Sequence, residues 1–115
     1  MTELTIVAVI IVKPNKIIEL GPLFDTLIKH TTKELGCVRY DLHHDNEDPS
    51  RYLFYEIWET RPLWQVHMAS PHLLAFQQAT SDMIVSVHLS EMTKLARSEP
   101  NINLTSDARN SIGKP

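Results

Sequence analysis

Residues 6–12 form an unbroken apolar run, Ile-Val-Ala-Val-Ile-Ile-Val, which ends at Lys13-Pro14. Such a run without polar alternation predicts a β-strand that is buried on both faces. It is too short to span a membrane, which takes about 20 apolar residues in a helix. Glu3 stands before it where a secretory signal would have positive charge. The strand therefore needs cover on two sides of a sheet.

A helix is predicted from residue 15 to residue 35, because apolar side chains recur there at three-to-four spacing and Gly36 follows as a stop. Gly21-Pro22 interrupts the pattern. Pro22 has no N–H for the carbonyl of Ile18, so the helix is expected to kink or restart, with its core beginning near Pro22.

Residues 37–45 and 51–59 read as two strands of an antiparallel hairpin, joined by the turn-rich segment 46–49. If Asp45 lies opposite Ser50, Tyr40 faces Tyr55 on an apolar side of the pair. On the other side Arg39 faces Glu56. That second side would also carry a mixed set of residues, namely Asp41, His43, Tyr52, Phe54 and Trp58.

Thr60 comes shortly before Pro62, and Ser70 directly before Pro71. A hydroxyl residue followed by proline is typical of a helix start, so two short helices capped by these hydroxyls are predicted. A last strand is predicted over residues 83–95. The resulting order is strand, helix, strand, strand, helix, strand, which is the ferredoxin-like split βαβ arrangement of the α+β class with a four-stranded antiparallel sheet. Residues 1–97 form the predicted domain, and residues 98–115 form a C-terminal tail or arm.

Helices in this arrangement cover one face of the sheet, yet the first strand is apolar on both faces. A symmetric second copy that lays its own sheet on the open face would cover it. The strand composition therefore predicts a homodimer, built as a dimeric α/β barrel.

The net charge of −3, without a basic cluster, disfavours nucleic-acid partners. The same argument disfavours an RNA-binding domain of this topology, which Tyr52, Phe54 and Trp58 would otherwise suggest. No membrane association is expected. Cys37 is the single cysteine, so no intramolecular disulfide can form, and a cytoplasmic location is expected.

Six histidines invite a metal-site interpretation, but their spacing is poor. His43 and His44 are neighbours on a strand and point to opposite faces, while His67 and His72 flank a helix break. No metal site is predicted. With three glycines in the chain, neither a phosphate loop nor a dinucleotide fingerprint is present.

What remains for chemistry is a group of histidines, aromatic residues and one acid: His67, His72, Trp58, Trp64, Tyr40, Tyr55 and Glu56. Ordinary structural roles compete with this interpretation. Trp64 and Phe76 are typical core residues, and Arg39 with Glu56 would be a plain ion pair. His67 and His72 are harder to dismiss, because a histidine beside a helix break over a sheet can exchange protons near neutral pH.

Four segments in order resemble the antibiotic biosynthesis monooxygenase family, and the likeness extends over residues 4 to 95. The segments are 7–14 (VAVIIVKP), 36–43 (GCVRYDLH), 55–60 (YEIWET) and 67–72 (HMASPH). The family includes quinol and polyketide monooxygenases, haem degraders and enzymes that process the phosphorylated autoinducer-2 signal. For the haem branch the resemblance implies an axial histidine where Gln77 stands here, and an asparagine that the first strand lacks, so haem degradation is disfavoured.

The resemblance implies a cofactor-independent monooxygenase that uses dioxygen on a small aromatic or quinol substrate. His67 is the predicted general base and Glu56 its catalytic partner. The predicted substrate-binding residues are His72, Trp58, Tyr40, Tyr55, Asp41, His43, Trp64 and Phe76. Two alternatives remain at this point. One is an isomerase or processing enzyme for a small phosphorylated ketone, and the other is a non-catalytic binding or stress-response dimer.

Overall fold

A computed structural model describes residues 2–103 of the chain. The elements are β1 (Leu4–Val12), a 3-10 turn (Pro14–Lys16), α1 (Ile17–Thr31), β2 (Cys37–His44), β3 (Arg51–Trp58), α2 (Arg61–Met68), α3 (Pro71–Ala79) and β4 (Ile84–Met92). Of the predicted tail, residues 98–103 contain no helix or strand, and residues 104–115 lie outside the described part. Among the described residues, no helix is long and apolar enough to cross a membrane.

The four strands form one antiparallel sheet in the order β2-β3-β1-β4. This order, with the helices after β1 and β3, confirms the predicted ferredoxin-like α+β fold. β1 is central, and its alternate residues from Leu4 to Val12 are buried against α1 and α3. The intervening residues of β1 are only half-buried, because they lie on the face that carries no helix.

The hairpin register differs from the predicted one by a single residue. Tyr40 lies opposite Glu56 rather than Tyr55, and Asp41 lies opposite Tyr55. An irregularity near Cys37 shifts the pairing at the start of β2. Because side chains alternate between faces, a slip of one residue transfers half of the predicted set to the other side of the sheet. The predicted pairing of Arg39 with Glu56 is therefore wrong, and Arg39 instead bonds Asp41 at 2.9 Å.

The first helix runs through Pro22 instead of starting near it. α1 begins at Ile17, and Leu20, one turn into the helix, is fully buried. Proline removes one N–H from the helical ladder, and the hydroxyl of Thr26 donates to the carbonyl of Pro22 at 3.0 Å. The apolar contacts of the first turn evidently outweigh that loss, so the expectation of a helix core that begins at Pro22 is wrong.

The predicted caps are confirmed. The Thr60 hydroxyl accepts from the N–H of Leu63 at the start of α2, and the Ser70 hydroxyl accepts from the N–H of Leu73 at the start of α3. Gly36, after the turn that ends α1, has a φ of +86°, a conformation that only glycine adopts without strain. Its carbonyl accepts from the N–H of Glu59, which ties the turn to the end of β3.

Candidate active site

A partly enclosed cavity of about 110 Å³ lies between the sheet and the helices. Of the predicted site residues, Tyr40, Glu56 and Phe76 line it. The remaining walls are mostly apolar side chains that the sequence argument did not single out: Ala8, Ile10, Leu27, Phe54, Met68, Leu73, Gln77, Ile84, Val87 and Leu89. They come from three of the four strands and from all three helices, so no local pattern in the sequence marks them as a group.

Glu56 is the acidic group of this cavity. It lies in the middle of β3, and only 4% of its surface is exposed. Burial raises the pKa of the Glu56 carboxyl from 4.5 to about 7, because the charged form loses its hydration. The indole N–H of Trp58 donates to Oε1 at 2.9 Å and opposes this shift, while the charge of Glu34 adds to it. A carboxyl with this pKa can accept or release a proton near neutral pH.

His67 lies one layer behind the cavity and is not among the residues that line it. Its ring is 2% exposed, packs on the Trp58 indole with centroids 4.8 Å apart, and meets the ring of Tyr40 edge-on at 5.4 Å. Burial lowers the pKa of His67, and the hydrogen bond to Glu34 acts in the opposite direction. His67 thus supports Trp58, which in turn holds Glu56. Its role as the general base stays a prediction.

Glu34, in the turn between α1 and β2, is a member of the site that the sequence argument missed. Its Oε2 atom lies 2.6 Å from Nδ1 of His67 and 2.8 Å from Nε2 of His72. The argument from spacing that these histidines do not converge is wrong, because the break between α2 and α3 turns both rings toward the same carboxylate. No local signal could have found Glu34, since 33 and 38 residues separate it from its partners.

Tyr55, Asp41 and His43 lie on the other side of the sheet. They line a wider, open concavity of about 780 Å³ on the helix-free face, together with Arg39 and Arg51 among others. Trp58 is fully buried behind Glu56, and Trp64, 7% exposed, packs in the core. Of the two concavities, the smaller one has the more apolar walls and holds a buried ionisable group, Glu56.

The Trp58 hydrogen bond leads to a prediction on pH dependence. Trp58→Phe removes a donor that stabilises the Glu56 carboxylate, so the pKa of Glu56 should rise above 7. The other groups that face Glu56 are Tyr40, whose pKa burial raises so that its hydroxyl stays neutral, and Glu34. The measurement is the pH dependence of kcat/KM for the substrate. The pH at which kcat/KM is half-maximal should move to a higher value.

Trp64→Phe is the matched control. In the wild type, the indole N–H of Trp64 has no hydrogen-bond partner among residues 2–103, so its removal breaks no hydrogen bond there. The midpoint of the profile should therefore stay where it is in the wild type. An unmoved midpoint in Trp58→Phe would show that Glu56 does not set the profile.

Comparison with known proteins agrees with this architecture. Residues 4–79 match the family model described as antibiotic biosynthesis monooxygenase. The chain belongs to the antibiotic biosynthesis monooxygenase family. A solved structure of an antibiotic biosynthesis monooxygenase is 26% identical with a TM-score of 0.77, over 81% of this chain and 99% of that one. A solved protein of Pseudomonas aeruginosa is 27% identical with a TM-score of 0.78, over 84% of this chain and 97% of that one.

Curated relatives match over a shorter part of their length. An uncharacterized protein of Synechocystis is 27% identical over 88 residues, which are 76% of this chain and 60% of that protein. The human N-terminal EF-hand calcium-binding protein 1 is 27% identical over 71 residues, which are 58% of this chain and 20% of that protein. The chain thus spans less than two thirds of the length of these relatives.

Proposed function

We propose that this member of the antibiotic biosynthesis monooxygenase family is a cofactor-independent monooxygenase of small quinols. Glu56 is the general base that accepts the proton of the substrate. The proposal rests on a buried carboxyl with a pKa near 7 that lines a partly enclosed, mostly apolar cavity. Family membership supports oxygen chemistry, and the cavity supports a flat, apolar substrate that carries an acidic hydroxyl.

The reaction begins with proton transfer from a quinol hydroxyl to the Glu56 carboxylate. The resulting anion is electron-rich and can pass electrons directly to dioxygen, so the protein need only bind, deprotonate and exclude water. One oxygen atom enters the ring and the other leaves as water. The substrate supplies all four electrons, and a hydroquinone with one dioxygen thereby gives a hydroxyquinone and one water.

The size of the cavity limits the substrate. A volume of about 110 Å³ is close to the roughly 150 Å³ of an engineered protein cavity that binds benzene. A single aromatic ring therefore matches the cavity better than a fused polyketide. Val87 and Leu89 of β4 border the cavity, and Val87 is 57% exposed, so this edge is where a larger ring would have to emerge.

Oxygen uptake tests the proposed reaction. With a single-ring hydroquinone, the protein should consume one dioxygen for each hydroxyquinone formed, above the rate of spontaneous oxidation. Dihydroxynaphthalene should react more slowly if the cavity selects by size. Turnover that continues under strict anaerobiosis would rule out an oxygenase and would favour an isomerase, which can use the same base for enolisation.

We also propose that the active form is a homodimer joined through the helix-free sheet face. Val7, Val9 and Ile11 lie on that face of β1 and are half-buried in the single chain, with Leu53 and Ile57 beside them on β3. A second copy would bury these apolar side chains, which face water otherwise. The occupant is a copy of the same chain, because one apolar face can cover its equivalent across a twofold axis.

Sedimentation velocity tests this arrangement. The wild type should sediment with a mass of twice 13.2 kDa. Val9→Asp places a charge in the middle of the face and should give a folded monomer. Ile18→Asp, on the exposed side of α1 with 91% of Ile18 accessible, should remain a dimer. A wild-type monomer at micromolar concentration would contradict the proposal.

A further inference from the structure

A cluster of three side chains, Glu34, His67 and His72, takes no direct part in the proposed reaction. One ligand-capable atom of each, Oε2 of Glu34, Nδ1 of His67 and Nε2 of His72, lies within 4.8 Å of the others. The three come from the α1–β2 turn, α2 and α3. Side-chain exposures of 13%, 2% and 21% place the cluster at the edge of the core, where an ion can enter and a water can reach it.

We propose that this cluster is a binding site for a divalent transition-metal ion of the Zn²⁺ type. Two imidazoles and one carboxylate are a donor set that Zn²⁺ accepts, with a water at the fourth position. Hard cations such as Ca²⁺ and Mg²⁺ prefer oxygen ligands throughout, so a site with two nitrogen donors disfavours them. Because Zn²⁺ binds more tightly than Mn²⁺ or Fe²⁺ to such donors, it is the expected occupant.

The geometry needs two adjustments: Glu34 must move back, and the two imidazole nitrogens, which lie within 4.8 Å of each other, must reach the spacing that a metal ion imposes. The two nitrogen–oxygen distances, 2.6 and 2.8 Å, are hydrogen-bond lengths. Ligand atoms around a tetrahedral Zn²⁺ lie about 3.3 Å apart, as follows from metal–ligand distances of about 2.0–2.1 Å. Glu34 must therefore withdraw by about half an ångström for the ion to bind. Its position in a turn, outside any helix or strand, allows that movement.

Occupation would fix the position of His67, the member of the cluster that contacts Trp58. His67 packs on Trp58, and Trp58 bonds Glu56, so the ion would stabilise the wall behind the cavity without contact with the substrate. The inference does not depend on the oxygenase proposal. A protein that consumes oxygen yet binds no metal would refute only the metal site, and the reverse result would refute only the reaction.

Titration of the metal-free chain with Co²⁺ tests the site, because Co²⁺ substitutes for Zn²⁺ and absorbs visible light. The wild type should bind one equivalent with the spectrum of a four-coordinate nitrogen and oxygen site, and Zn²⁺ should displace it. Glu34→Gln and His72→Ala should each weaken binding by about tenfold or more. His44→Ala, at the exposed end of β2, should bind as the wild type does and controls for surface histidines.

A second readout keeps the test decisive if a variant folds poorly. Zn²⁺ should raise the thermal unfolding midpoint of the wild type, and X-ray absorption of the Zn²⁺-loaded wild type should show two imidazole ligands. The proposal is overturned if millimolar Co²⁺ gives no visible band, or if folded His72→Ala binds with wild-type affinity. The latter result would mean an adventitious surface ion only.

Discussion

Replacement of Glu56 by glutamine is expected to lower kcat for hydroquinone oxidation by about a hundredfold or more, the usual contribution of a positioned general base. The amide has nearly the shape of the carboxyl, so the cavity should keep its form, but it cannot take a proton from the substrate. In the wild type, kcat/KM should rise with pH through about 7, as the carboxylate forms. This rise should be absent from the residual activity of the variant.

Two controls separate the effect from unfolding. Glu19→Gln changes an exposed glutamate on α1 in the same way and should leave kcat unchanged. Glu56→Gln itself should be at least as stable as the wild type above pH 7, because it removes a carboxylate whose burial opposes ionisation. A stable Glu56→Gln protein with full activity would show that Glu56 is not the base. His67→Ala would then be the next variant to test.

Gly36→Ala is expected to lower the free energy of unfolding by about 2–4 kcal/mol, the sum of two separate costs. A φ of +86° is strained for any residue with a Cβ. The added Cβ would also lie 2.9 Å from Cβ of Leu63, at the start of α2, so the helix would have to shift. Urea or thermal unfolding measures the change.

Gly21→Ala provides the contrasting substitution. Gly21 lies inside α1, and beyond the helix itself nothing lies within 4 Å of the Cβ that alanine would add. Glycine within a helix costs about 0.5–1 kcal/mol relative to alanine, but a Cβ directly before Pro22 is disfavoured in the helical conformation. The two effects oppose each other, so the free energy of unfolding should change by less than about 1 kcal/mol. Equal effects of the two substitutions would mean that neither the left-handed conformation nor the contact with Leu63 matters for stability.

The fold was predictable because its signals are local. The apolar run of β1 and the hydroxyl caps at Thr60 and Ser70 each depend on neighbours in the chain, and each is found in the structure. The predicted helix stop at Gly36 is wrong, because α1 already ends at Thr31. The hairpin register was not predictable in the same way. The turn sets Asp45 opposite Arg51 rather than Ser50, with the N–H of Asp45 donating to the carbonyl of Arg51, and the composition of the turn alone does not specify such a one-residue offset.

The register error explains most of what the sequence missed at the site. The predicted register placed Tyr55 beside Tyr40, whereas the two lie on opposite faces of the sheet. The same register grouped Asp41 and His43 with Glu56, from which the sheet separates them. Glu34 was not predicted as a site residue for a different reason. Its contacts to His67 and His72 depend on how two helices pack against a turn that is distant in the sequence. Pattern and spacing carry no information about such long-range contacts.

Anaerobic stopped-flow absorbance tests the central claim, that the Glu56 carboxylate removes a proton from a bound quinol, most directly. Without oxygen the reaction should halt after proton transfer, so mixing a single-ring hydroquinone with the wild type above pH 7 should produce the absorbance of the bound phenolate. Glu56→Gln, saturated with the same compound, should produce none. A phenolate signal of equal size in Glu56→Gln, or no signal in a wild-type protein that consumes oxygen, would contradict the account.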